Sequence, residues 1–81
     1  MAADGVSGDL AWWRAHRDAP EPDAAALRAM LERLRRWKAR HDEERAGQLG
    51  FLRMAWDAVF GDDDERVTEA IAEIEDVLTR A

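Results

Sequence analysis

From Leu27 to Leu78 the large apolar residues of this chain recur at helical spacing, and one polar interval, Lys38–Gln48, divides them into two runs. A recurrence near 3.6 residues gathers side chains on one side of an α-helix. A chain of 81 residues carrying this pattern over most of its length folds as packed helices or not at all, because chains this short rarely build two independent cores. The apolar residues are mostly Ala and Leu, which like Arg and Glu are strong helix formers, and the only two prolines lie at positions 20 and 22. The absence of cysteine excludes disulfides, thiolate metal sites and a cysteine nucleophile. Stability must therefore come from packing, within one chain or between two.

The first eight residues, with Gly5 and Gly8, read as a flexible leader, and residues 9–81 as a single helical domain. Ser7 or Asp9 can cap a short helix over about 9–18, which Pro20 and Pro22 end. Leu10 and Trp13 form its inner face, while Trp12 points to another sector. Pro22 or Asp23 opens the next helix, whose stripe is Leu27, Met30, Leu31, Leu34 and Trp37. Beyond the polar interval, Leu49, Leu52, Trp56 and Val59 share a face that Phe51, Ala55 and Phe60 widen. A last helix over about 63–80 starts after Gly61, where Asp62 and Glu65 have capping-box spacing. Its inner stripe is Val67, Ala70, Ile71, Ile74, Val77 and Leu78, and Arg80 favours the negative end of its dipole.

Whether the polar interval breaks the helix is contested by two arguments. Gly47 and Gly50 each cost about 1 kcal/mol relative to alanine in a helix, and glycine commonly follows a helix end. Against a break, residues 46–50 offer no Ser, Thr, Asp or Asn to cap a new helix. Leu31 to Leu49 and Leu34 to Leu52 are each five full turns, so the stripe resumes in phase. Phase favours one helix over about 23–60, a rod of about 55 Å. The alternative is a break at 46–50. The predicted fold is all-α: a small helical hairpin or bundle of three helices, four if the central helix breaks near Gly47, which dimerisation would complete.

The net charge of −6 is unevenly placed. Residues 61–81 carry eight acids and two bases, whereas residues 24–60 carry eight bases and five acids. The acidic helix is expected to lie against the basic one, within the fold or across a dimer. The competing expectation is a basic ridge, Arg33–Arg40, that with Trp37 would bind nucleic acid by phosphate contact and stacking; the overall negative charge opposes it.

Chemistry-bearing clusters are few. His41 and Glu44 have the one-turn spacing of two metal ligands, but a closed site would need a second chain. They are secondary candidates, and a solvated polar segment accounts for them. Asp62–Glu65 lacks the spacing of a calcium loop, and no phosphate-binding glycine loop or nucleophile–base pair stands out. No catalytic site, cofactor or resident metal is predicted. Nothing resembles a signal peptide or a membrane span, so the expected setting is cytoplasmic. Four tryptophans suit a small core, with Trp12 and Trp37 the candidates for exposed anchors. The function read from the sequence is a small acidic protein–protein interaction module (adaptor, assembly subunit or protein inhibitor) that binds another protein or a second copy of itself. Its predicted contact residues are Trp12, Arg33, Arg36, Trp37 and Arg40. An accessory nucleic-acid-binding subunit is the alternative, and a metal-binding helical dimer a third.

Overall fold

The computed structural model describes residues 5–19, 21 and 23–80, which form three helices: α1 (Gly5–His16), α2 (Ala24–Ala46) and α3 (Phe51–Arg80). Asp23 caps α2, its carboxylate accepting a hydrogen bond from the Ala26 backbone N–H at 3.2 Å. α2 and α3 run antiparallel, as the successive pairs Arg45–Asp57, Lys38–Asp64 and Arg35–Glu75 show. α1 lies across the groove between them, with Asp9 against Arg33 of α2 and Trp13 against Glu73 of α3. The sequence-predicted all-α bundle is therefore the observed fold, but its joints lie elsewhere.

The central helix breaks at Gly47–Gly50, so the continuous 23–60 rod is not formed. Gly47 N–H reaches the Glu43 and Glu44 carbonyls, and Gly50 takes φ of 55°, a left-handed conformation that glycine adopts at no steric cost. No side chain caps α3, and its first turn closes on its own backbone. The Arg53 guanidinium donates to the Gln48 carbonyl at 3.0 Å, while Leu52 and Arg53 N–H bond to Leu49 and Gly50 oxygens. Folding back lets Trp56 and Phe60 pack beside Trp37 and His41, which a straight rod would leave in water.

The second expected joint is absent. α3 passes through Gly61 and Asp62–Glu65 without interruption, so Asp62 is mid-helix and caps no helix among the described residues. Of the residues that looked like a helix start, Asp64 is held by α2, its Oδ1 2.5 Å from Lys38 Nζ, and about two turns earlier Arg45 grips Asp57 through two bonds. The first helix also differs from expectation. Gly5–Gly8 belong to α1, leaving residues 1–4 of the expected leader, and Pro20 and Pro22, outside the described residues. Ser7 and Asp9 lie inside α1 and do not cap it.

The core joins Trp13 of α1, Leu27, Met30, Leu31 and Leu34 of α2, and Val67, Ala70 and Ile74 of α3. Val6, Leu10, Trp37, Ile71, Val77 and Leu78 pack around it. Trp13 buries its ring and donates its indole N–H to Glu73 at 2.7 Å, which satisfies its polar atom. At 1.5 Å per residue, α1 is about 18 Å long, α2 about 35 Å and α3 about 45 Å. One short helix cannot cover a hairpin of that length. The half of the molecule next to the α2–α3 turn is thus two helices thick, and the other half three.

Candidate partner-binding surface

The five residues predicted as contacts do not form one surface. Arg33 donates two hydrogen bonds to Asp9, at 2.9 and 2.8 Å, and the carboxylate holds the guanidinium above its ordinary pKa by hydrogen bonding and then by charge. Trp12 is partly exposed at the edge of α1, stacked on His16 at 4.3 Å, and lines a shallow cleft with Met30 and Arg33. Trp37 is half-buried and packs against the core rather than standing free. Arg36 and Arg40 are exposed and have no ion-pair partner among the described residues.

Much of the ridge is already neutralised within the chain. Arg35 pairs with Glu75, Lys38 with Asp42 and Asp64, and Arg45 with Asp57. The basic face of α2 thus meets the acidic face of α3, as the uneven charge of the sequence led one to expect. The Asp64 hydrogen bond, opposed by partial desolvation, raises the Lys38 pKa, and the Arg45 hydrogen bond lowers that of Asp57. Exposed pairs like these contribute little to stability, because water screens them.

His41 occupies a different setting from the one its sequence neighbours suggested. It is buried between α2 and α3, stacked on Trp37 at 4.7 Å, with Trp56 at 5.6 Å and Phe60 at 6.1 Å. The acids that approach it are Asp42 and Asp64, not Glu44; the three groups offer ligand atoms within 4.8 Å of one another. The Lys38 ammonium sits among these acids, 2.5 Å from Asp64 and 3.3 Å from Asp42, and supplies the positive charge itself. Glu44 and His41 both line a pocket of about 130 Å³ with Trp37, Arg40, Trp56 and Phe60.

The surface that sequence reasoning missed lies on the two-helix half. Leu49, Phe51, Leu52, Met54 and Val59 are 74, 77, 51, 72 and 68 % exposed. Phe51, Ala55, Ala58 and Val59 form one outward row of α3 at helical spacing, and Ala55 and Ala58 are exposed as well. Further along the same row stand Asp62, Glu65, Arg66 and Glu69, all exposed. The change from apolar to charged coincides with the start of α1, whose Ser7 shares a surface depression with Asp63 and Arg66. The outward row is charged where a third helix covers the groove and apolar where none does.

The five-turn match between Leu31 and Leu49, and between Leu34 and Leu52, assigned Leu49 and Leu52 to the core. The turn at Gly47–Gly50 resets the phase, and Trp56 and Phe60 become the inward residues. One signal in the sequence was available: Phe51, Leu52, Met54, Ala55, Val59 and Phe60 surround more of a helix than one partner helix can cover. This end also carries two buried donors, Trp56 Nε1 and Arg53 Nε, without a hydrogen-bond partner among the described residues. No helix among the described residues is long and apolar enough to cross a membrane. Compared with known proteins, the chain matches no family model, no curated protein and no solved structure.

Proposed function

We propose that this chain is a small acidic protein–protein interaction module, without catalytic activity of its own, that docks through the apolar face from Leu49 to Val59. The observation that carries the reading is the exposure of five large apolar side chains side by side on the two-helix half. Single exposed apolar residues are ordinary, but contiguous patches beyond a few hundred Å² mark interaction sites. The contact surface thereby moves from the Arg33–Arg40 ridge to the first half of α3. Arg40 remains as an exposed charge beside Trp56 and Phe60, while Arg36, level with the part of α3 beyond Asp64, and Trp12 lie on the three-helix half. No observation favours the nucleic-acid reading, because Arg33, Arg35 and Lys38 are already paired with acids.

The test is photo-cross-linking in cells with the reactive group at Phe51 or Val59, and at Ala29 as control. Discrete adducts from the first two positions and none from Ala29 are expected. Equal labelling at all three, or none anywhere, refutes the assignment of this face.

A further inference from the structure

Resting on that reading, we propose that the occupant of the face is a second copy of this chain, the two-helix halves packing antiparallel across a two-fold axis near Ala55. Four features of the molecule lead there. The first is size. Five large apolar side chains, Leu49, Phe51, Leu52, Met54 and Val59, are each more than half exposed at one end of the molecule, the extent of a patch that marks an interface rather than of single exposed residues.

The second is self-complementarity, which a two-fold contact requires because each residue pair occurs twice. With Ala55 of each chain at the axis, Phe51 faces Val59 of the other copy and Leu52 faces Ala58. Larger side chains meet smaller ones, and the two Ala55 methyl groups let the helices approach closely. Paired in this way, the two thin halves make a four-helix layer, and the three-helix halves extend outward from it.

The third is length. In this register the turn of one copy, at Gln48, comes level with Asp62 of the other. That is the level at which α1 begins to cover the groove, beside Asp63 and Arg66. The uncovered stretch therefore matches the overlap that the two-fold axis defines.

The fourth is charge. α3 starts without a capping side chain, since residues 46–50 contain no Ser, Thr, Asp or Asn. Asp62 is exposed and has no ion-pair partner among the described residues. The same register brings each Asp62 to the N-terminus of the other chain's α3, where its carboxylate faces the positive end of the helix dipole and the Phe51 N–H, since the Leu52 and Arg53 N–H groups already bond to the Leu49 and Gly50 oxygens. Asp62, which caps no helix among the described residues of its own chain, becomes a cap in the other. The rest of the two chains, each at −6, repel, so added salt strengthens association by screening; a basic partner would show the reverse.

The full chain is tested by light scattering over a range of concentrations. The expected mass is twice 9.2 kDa, falling to one chain on dilution. Phe51→Lys and Val59→Lys weaken self-association at least tenfold with unchanged far-UV helical signal, because both sites are exposed in the single chain. Asp62→Ala, which removes the cap, weakens it severalfold. As the chain has no cysteine of its own, Ala55→Cys reports the axis directly: a short bismaleimide links it to itself efficiently, and Ala72→Cys poorly. A single-chain mass at all concentrations up to about 1 mM, or equal linking at 55 and 72, overturns the second copy as occupant. If the chain is monomeric but the Val59 cross-linker gives adducts of another mass, the interaction face stands and only the second copy fails. A monomer with no adducts ends both.

Discussion

The chain reverses direction at Gly50 and runs straight through Gly61, so replacing each by alanine should move stability in opposite directions. Gly61 lies in the interior of α3, and a Cβ built there meets nothing within 4 Å. Gly61→Ala therefore gains the helix-propensity difference, about 0.8–1 kcal/mol, without a steric cost. Gly50 also has open space around it, but its φ is 55°. There the penalty is purely conformational, about 1–2 kcal/mol for an L-residue in the left-handed region. The two variants should thus differ by roughly 2–3 kcal/mol, which for a chain of this size separates their melting temperatures by about 8 °C or more. Urea titrations followed by far-UV circular dichroism, at one fixed chain concentration, measure it. If Gly50→Ala stabilises while Gly61→Ala destabilises, the turn lies at Gly61 and the helix pairing described above is wrong.

Other perturbations separate core from surface. Leu34→Ala, at a site with no exposure, should cost about 2–5 kcal/mol, whereas Leu49→Ala on dilute single chains should stay within about 0.5 kcal/mol; equal losses in denaturant titrations would contradict the burial pattern. Trp37→Ala should destabilise by about 1–3 kcal/mol, because the ring packs on His41 and the core, while Arg36→Glu should leave the melting curve unchanged. An intact melting transition in Trp37→Ala would return that residue to the role of free contact anchor. The Arg45 hydrogen bond holds the Asp57 carboxyl below its ordinary pKa, so this pair contributes stability at pH above the ordinary aspartate value, about 4, and loses it as pH falls through the lowered one. Asp57→Asn should flatten that part of the acid unfolding curve; an unchanged acid limb would show that the pair contributes nothing measurable. Lys38, raised by Asp64, acts in the opposite range: its contribution is present below the ordinary lysine pKa and fades as pH rises through the raised value, a fade that Lys38→Gln should remove.

The inner stripes of α2 and α3 were legible because each is a local pattern. Leu27, Met30, Leu31 and Leu34 recur at helical spacing, as do Val67, Ala70 and Ile74, and all seven are buried. Asp23 was legible as a cap for a similar reason, since the N–H it satisfies is three residues away. The candidate site was less legible. Trp37 and Arg33 look like free contact groups in sequence, but their engagements with His41 and Asp9 depend on which helix lies alongside. Leu49 and Leu52 look buried because helical phase is assumed to persist, and a four-residue turn is enough to cancel it.

Period, composition and charge placement by themselves determined that this chain is helical, which residues of α2 and late α3 turn inward, and that an acidic segment would lie beside a basic one. These follow from interactions within one or two helical turns, or from net charge, and so need no knowledge of the path. Only the tertiary structure decided where the chain turns, because glycine at 47–50 and glycine at 61 carry similar local penalties. The choice went to the turn that places Trp56 and Phe60 beside Trp37 and His41 and brings Lys38 and Arg45 to Asp64 and Asp57. That choice also left α1 too short to cover the hairpin, and so made a surface of residues that the sequence had marked as core.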